Sequence, residues 1–238
     1  MLKAWLKFFR VVNLPTVPGD VLVGAAATMA AHGWASSFRP VVAACVVSVF
    51  LYMFGLADND IVGAKTDKGR PIADGQISLG AARWARGLCI FAALIVGSLA
   101  NLPPAWWVVA FLLAVAIVVY NRTKGCLMMG LCRGFNVICG GSALTGEPKL
   151  LGLGVCAVLW TVYVAAVTKY SEGEEMDAAK KRRVGFLIGA IVYLQLTALL
   201  VAYLTSSCAA IRNLLLTGAA LLIVLRLMKR VLPEVSAS

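Results

Sequence analysis

Histidine occurs once in this sequence, at His32, and charged residues fill only 14% of its 238 positions. A lone histidine near an expected helix end argues against histidine-dependent catalysis. A soluble globular domain carries about 25% charged residues, so the scarcity of charge excludes a soluble enzyme. The apolar content likewise excludes a disordered or collagen-like chain. The seven cysteines, at 45, 89, 126, 132, 139, 156 and 208, form no CxxC pair and fall mostly inside apolar blocks. They fit small buried hydrophobes, not a disulfide framework or a zinc site. Acids number 11 against 22 bases, for a formal net charge of +11. The bases lie between apolar blocks, which makes them topology determinants facing anionic lipid and argues against nucleic acid as a partner. No small-residue cleavage site follows Lys3, Lys7 and Arg10, so no cleavable signal peptide is expected.

What the chain has in abundance is hydrocarbon: 61% hydrophobic residues and a mean hydropathy of +0.87. The apolar residues fall in blocks close to the ~20 residues with which a helix crosses ~30 Å of bilayer core. Only helices and closed barrels satisfy their backbone there, and a barrel would show alternating strands of about 10 residues, which are absent. The fold class is therefore all-α: a polytopic transmembrane helical bundle forming one domain, 1–238. Eight spans are expected, at roughly 15–34, 40–57, 79–100, 103–120, 127–145, 150–169, 184–204 and 208–227. Residues 1–12 interleave Lys and Arg with Trp, Leu and Phe at helical spacing, which suits an interfacial helix on the lipid bilayer. Eight crossings put both termini on one side. With that parity, 19 of the 22 Lys and Arg share a face, leaving Arg39, Lys149 and Arg212 on the other. The asymmetry predicts cytoplasmic N- and C-termini in the cell (inner) membrane. Trp106-Trp107 reads as an interfacial aromatic belt. Gly130…Gly134 and Gly140-Gly141 read as close-packing positions.

Eight of the 11 carboxylates gather in two loops, 58–78 and 170–183, at equivalent places in two four-span halves. One reading is two solvated loops whose acids balance nearby lysines. The other begins from spacing. If the second span's helix continues, Asp60, Gly63 and Asp67 lie at i, i+3 and i+7 on one face. Oxygen ligands of this kind hold Mg2+, which keeps several waters and bridges to substrate phosphates. Lys65, Lys68 and Arg70 are near enough to bind further phosphate oxygens. The second loop adds Glu172, Glu174, Glu175 and Asp177. Two facing carboxylate sets with bases between them describe a metal–diphosphate site. Arg133 and Asn136 share a helix face early in the fifth span, where a charged residue is a functional candidate; the alternative is an arginine snorkelling to the interface. Asn13 and Asp20 are candidates too, or else helix-cap and interhelical hydrogen-bonding residues.

The stretch Asn59-Asp60-x-x-Gly63-x-x-x-Asp67, followed by Gly69-Arg70-Pro71-Ile72-x-x-Gly75-x-Ile77-Ser78, resembles the first aspartate-rich motif of the UbiA superfamily of intramembrane prenyltransferases. That motif is NDxxDxxxD followed by RPIPSGxIS. Tyr120-Asn121-x-x-Lys124 is similar to the family's Tyr…Lys segment. Three stretches look more like its EboC-type branch: Asn13-Leu14-Pro15-Thr16 with Asp20, Met129-Gly130-Leu131-Cys132-Arg133-Gly134-x-Asn136, and Thr168-x-x-Ser171-x-Gly173-Glu174. The resemblance covers about residues 10–225. Gly63 stands where the family's middle acid does, glutamates replace the second motif's aspartates, and the chain is one span shorter than is usual.

The resemblance implies a helical bundle around a central cavity. It also implies Mg2+-dependent ionisation of a polyprenyl diphosphate, with transfer of the polyprenyl group to a small hydrophobic or aromatic acceptor. It assigns Asn59, Asp60 and Asp67 to a first metal site and Glu172 and Glu174 to a second, with Asp60, Asp67 and Glu174 as the catalytic acids. Asn13, Asp20, Arg70, Lys124, Arg133 and Asn136 become substrate-binding residues, Arg70 and Lys124 as the diphosphate contacts. The competing functions are a transporter of a hydrophobic metabolite and a catalytically degenerate relative. The acceptor and the donor's chain length stay open.

Overall fold

The computed structural model describes residues 1–32, 38–67, 69–144, 150–173, 178–206 and 209–232, and every regular element among them is helical. A short helix α1 (Leu2–Phe8) and a 3-10 turn (Val11–Thr16) lead into α2 (Val17–His32). There follow α3 (Arg39–Val62), α4 (Leu79–Leu99), α5 (Pro104–Thr123), α6 (Cys126–Ser142), α7 (Leu150–Ser171), α8 (Ala178–Ser206) and α9 (Ala209–Val231). Among the described residues, seven helical stretches are long and apolar enough to cross a membrane, the first running from Leu2 to Ala31 through α1 and α2. The protein is an integral membrane protein. The expected fifth span, 127–145, corresponds to α6; with 17 residues and Arg133 along it, α6 falls outside those seven. It is instead enclosed by α2, α3, α5 and α7.

Helix α2 is the centre of the bundle and touches α3, α6, α7, α8 and α9. Val21, Leu22, Val23, Ala25, Ala26 and Met29 are all buried, so it has no polar face, as a helix enclosed on every side requires. It meets α6 backbone to backbone. A methyl group at Gly24 would lie 1.8 Å from the Val137 carbonyl oxygen, and one at Gly140 would lie 1.9 Å from that of Val21. On the other flank of α6, a methyl at Gly130 would lie 2.3 Å from the Thr161 carbonyl oxygen of α7, and one at Gly134 would lie 2.2 Å from the Thr161 hydroxyl. Lipid offers helices no hydrophobic drive to associate, so small residues that admit close van der Waals contact hold such a pair together.

Three expectations need correction. Helix α3 continues to Val62, five residues beyond the expected 57, so Asp58, Asn59 and Asp60 lie on a helix instead of in a loop. Helix α8 begins at Ala178, which shortens the second loop and places Arg182 and Arg183 on a helix. Trp106 is not at an interface: it is 1% exposed, inside the core formed by α3, α4 and α5. Its neighbour Trp107 fills the notch left by Gly97 on α4, and the two rings meet edge to face at 5.2 Å. Helix α1 does have an apolar face, but Ala4 and Phe8 bury it against Ala57, Ile72, Ile77 and Ala82.

The α2–α6 contact generates a stability prediction. Overpacking costs about 1–3 kcal/mol, and Gly140→Val forces a side chain into a carbonyl group that has no rotamer to escape into. Its unfolding temperature in detergent, followed by circular dichroism, should fall well below the parent's. Gly154→Ala, whose methyl meets open space, should not lower it.

Candidate active site

A cavity of about 370 Å3 opens between α3, α5 and α6, with Arg10 and Val17 closing its N-terminal side. Along α3 it is bordered from Asn59 to Ser48, about 16 Å at a rise of ~1.5 Å per residue. Arg10, Asn59, Asp67, Arg70 and Lys124 surround one end; Ser48, Arg133 and Asn136 surround the other. The walls between are largely apolar, with Leu51, Leu113, Ile117, Met129 and Cys132 among them.

The outer end is built by the close of α3 and the turns after it. Gly63 caps the helix, its amide donating to the Asn59 carbonyl, and the Asp67 amide donates to the Gly63 carbonyl, each at 2.9 Å. Asp67 thereby folds back over the glycine: a Cβ at position 63 would meet its Oδ2 at 2.3 Å. The chain next reverses through Gly69 (φ +79°) and Gly75 (φ +69°), a conformation costly for residues with a Cβ. The Gly69 amide donates to Asp74 at 3.0 Å, while Ile72 and Ile77 are buried beneath α1. These anchors hold Arg70, whose Nη1 lies 3.3 Å from Asp60 Oδ1. Lys124 ends α5 in the left-handed region (φ 53°), and its ammonium donates to the side-chain oxygen of Asn59.

Two groups at this end have unmet needs. Asp60 Oδ2 is buried and has no hydrogen-bond partner among the described residues; neither do the buried Nε and Nη2 of Arg10. Arg10 also sits at φ 41°, outside the helical and extended regions. Asp58, one residue from the motif's Asn59, points elsewhere. Arg86 donates to its Oδ1 at 2.9 Å and Asn121 to its Oδ2 at 3.0 Å, and Asn121 Nδ2 also reaches the Gly55 carbonyl at 3.0 Å. Asp58 is thus a tie between α3, α4 and α5, not a stand-in for the acid missing at position 63.

At the inner end Asp20 is 0% exposed and four side chains converge on it. Arg133 Nε lies 3.0 Å from Oδ2 as an ion pair outside hydrogen-bond alignment, and Oδ2 accepts from Asn136 at 3.2 Å. Oδ1 accepts from Trp160 at 2.9 Å and Gln195 at 2.7 Å. Asn136 additionally donates to the Val17 carbonyl and accepts from Ser48. Arg133 is therefore directed inward to a buried acid, which settles against snorkelling.

Of the expected site residues, Asn59, Asp67, Arg70, Lys124, Arg133 and Asn136 border this one cavity, with Asp60 directly behind Arg70. Asp20 stands behind Arg133. Asn13 does not border the cavity; its carbonyl accepts from Thr16 in the 3-10 turn. Glu172 is exposed and pairs with Lys169 at 2.8 Å, away from the cavity lining. Glu174 and Lys68 lie outside the described residues. Sequence reasoning passed over Tyr52, Trp160 and Gln195, read Arg10 only as a basic residue of the first helix, and quoted Asn121 without giving it a role. Gln195 carried a signal, as an amide in the middle of an apolar block.

Among the described residues, no three His, Cys, Asp or Glu side chains converge as a metal cage. Asp60 and Asp67 with the Asn59 amide are an oxygen set of the kind that Mg2+ shares with water and phosphate oxygens, and the orphaned Asp60 oxygen is a place where a cation fits.

Fold and site define a class: an integral helical bundle with an apolar cavity capped by carboxylates and cations. The chain belongs to the UbiA prenyltransferase family, whose sequence profile matches residues 21–232. Its fold resembles that of a solved digeranylgeranylglyceryl phosphate synthase, with a TM-score of 0.61 at 16% identity over 99% of this chain and 90% of that one. A UbiA homologue from Archaeoglobus fulgidus, solved bound to DMAPP and Mg2+, gives a TM-score of 0.59 at 14% identity over 95% of this chain and 87% of that one. Bound to GPP and Mg2+, the homologue from that organism gives 0.59 at 15% identity over 95% and 87%. At these identities the likeness is one of fold. No curated protein matches the sequence.

The two kinds of carboxylate separate by mutation. Stranding one oxygen of buried Asp58 costs about 1–3 kcal/mol, so Asn121→Ala should lower the unfolding temperature in detergent. Asp67→Ala, which removes a carboxylate bonded to Thr66 on an exposed turn, should leave it close to the parent's.

Proposed function

We propose that this protein is a Mg2+-dependent intramembrane prenyltransferase, moving a polyprenyl group from its diphosphate to a small hydrophobic or aromatic acceptor. One observation carries the reading: beside a single cavity, a buried carboxylate oxygen of Asp60 and buried guanidinium nitrogens of Arg10 are both unpartnered among the described residues. Leaving buried atoms of charged groups without a hydrogen-bond partner is costly even where the charge itself is paired, as that of Asp60 is with Arg70, and a metal–diphosphate complex offers partners to both signs at once. Family membership supports the same reading, as do the fold relatives solved with DMAPP or GPP and Mg2+.

In this reading the bond between the prenyl C1 and the diphosphate oxygen breaks, a nucleophilic atom of the acceptor bonds to C1, and the acceptor's proton leaves to solvent. Arg10, Arg70 and Lys124 bind the diphosphate and neutralise the charge that grows on it as it departs. Leu51, Leu113 and Ile117 exclude water from the cationic carbon. Tyr52 and Tyr120 border the same space, where aromatic rings favour developing positive charge. Asn59, Asp60 and Asp67 would hold Mg2+, with Glu172 and Glu174 as the proposed second set. The ion would supply further neutralisation of the leaving group.

Asp60→Ala and Asp67→Ala should each abolish Mg2+-dependent release of diphosphate from geranyl diphosphate without loss of folding. Gly63→Ala, whose methyl displaces the Asp67 carboxylate, should raise the Mg2+ concentration needed for half-maximal geranyl diphosphate binding. Undiminished turnover in both aspartate variants would return these acids to a solvated-loop role.

The basic residues support an orientation with both termini cytoplasmic and the Asp60–Asp67 end of the cavity facing the cytoplasm. Reporter fusions after residues 78 and 180 should then read inside, and fusions after 36 and 148 outside. The opposite pattern refutes the orientation.

A further inference from the structure

We infer that Asp58, together with Arg86 and Asn121, is a positioning element for the reaction: it fixes where the Lys124 ammonium stands at the diphosphate end of the cavity. The inference rests on the prenyl-transfer reading, since Lys124 is there a diphosphate contact. Asp58 itself is not among the residues that border the cavity.

Helices α3 and α5 keep step along a ladder of contacts that ends at Lys124. At Gly55 the two helices are close: a methyl there would lie 2.8 Å from the Ile117 side chain of α5. One turn further along α5, Asn121 Nδ2 donates to the Gly55 carbonyl and to Asp58 Oδ2, each at 3.0 Å. At the last rung the Lys124 ammonium donates to the side-chain oxygen of Asn59. Arg122 and Thr123, between the two rungs, turn their side chains back onto carbonyls of α5 itself. Lys124 is strained as well: its φ of 53° costs a residue with a Cβ about 1–2 kcal/mol. Such a conformation persists where its surroundings fix it, and Asn121, 2% exposed, is the fixed point three residues before it. The acid at position 58 has no part in holding a leaving group, because a carboxylate repels a diphosphate. Arg86 of α4 neutralises it, donating to Oδ1 at 2.9 Å. Hydrogen bonds to an ionised acceptor are roughly twice as strong as neutral ones, so what the site gains from this acid is stiffness. An ammonium on a flexible four-carbon stem then meets the departing diphosphate already in place, with no reorganisation left to make.

A double-mutant cycle on the full chain in detergent tests this, read as calorimetric affinity for geranyl diphosphate with Mg2+. N121A should weaken binding about tenfold, as the loss of one charged hydrogen bond would. In a K124A background N121A should weaken it no further, because the group it positions is gone. A loss from local instability alone falls equally on both backgrounds, and that outcome overturns the inference. Where N121A does not fold, R86M makes the same comparison, since it removes the countercharge and leaves the Asp58–Asn121 bond in place. A second readout needs no substrate: acetylation of Lys124 by acetic anhydride, scaled to that of exposed Lys229 and measured by mass spectrometry. Released from Asn59, the amine should react severalfold faster in N121A and in R86M than in the parent, at a temperature where each is folded. Equal rates in parent and variants overturn the inference. Failure of the parent to bind geranyl diphosphate with Mg2+ overturns the prenyl-transfer reading instead, and the acetylation rates still decide whether Asp58 and its partners position Lys124.

Discussion

The carboxylate of Asp20 has no exposed surface, and charge survives at that depth only where countercharge and donors enclose it. Its partners come from three other helices: Arg133 and Asn136 from α6, Trp160 from α7 and Gln195 from α8. A single side chain on α2 therefore fixes the placement of half the bundle. Glycine contacts set how near α6 comes to α2 and α7, and the Asp20 network sets its rotation about its own axis. That rotation turns Arg133 and Asn136 toward the cavity, and the start of α6 follows directly on Lys124 at the opposite end.

Asp58 performs the corresponding service nearer the close of α3, joining that helix to α4 and α5 through Arg86 and Asn121. Four aspartates thus fall into two pairs. Asp20 and Asp58 have both oxygens occupied by the protein. Asp60 keeps one oxygen buried and unpartnered among the described residues, and Asp67 lies over a glycine on the cavity wall. The cations divide in the same way, with Arg86 and Arg133 engaged by buried acids and Arg10 unspent. Two of the cavity's cations, Arg10 and Lys124, come from residues in the left-handed region, which costs a residue with a Cβ about 1–2 kcal/mol. Backbone strain of this kind is found where a function requires a particular display.

Much of this was legible in the sequence. Apolar blocks of bilayer length marked α2 to α9 to within a few residues, because hydrocarbon thickness sets helix length. The start of α8, six residues early, and the end of α3 were the exceptions. The composition of α3 turns polar at Asp58 while the helix runs on, since buried partners on α4 and α5 satisfy what open water would otherwise have to. Asn59, Asp67 and Arg70 were readable as a group because a motif and its tail span a short stretch of chain, and Lys124 came from a second, separate segment. Two partners of Asp20, Trp160 and Gln195, were not readable. Trp160 and Gln195 are 140 and 175 residues away from it, and no local spacing joins them. Arg10 looked like one more topology charge among three in the first turns. Only the left-handed turn that redirects the chain after α1 carries it into the cavity.

Helix α5 supplies Leu113 and Ile117 to the apolar stretch of the cavity, one turn apart on the same face. Neither residue touches the ion pairs at the two ends, which draw on α2, α3, α6 and the segment around Arg70. Changing the bulk at these two positions alters how much hydrocarbon the cavity takes while leaving every charged contact in place. The volume of the cavity's apolar stretch is therefore set on α5, apart from the charged contacts at its two ends.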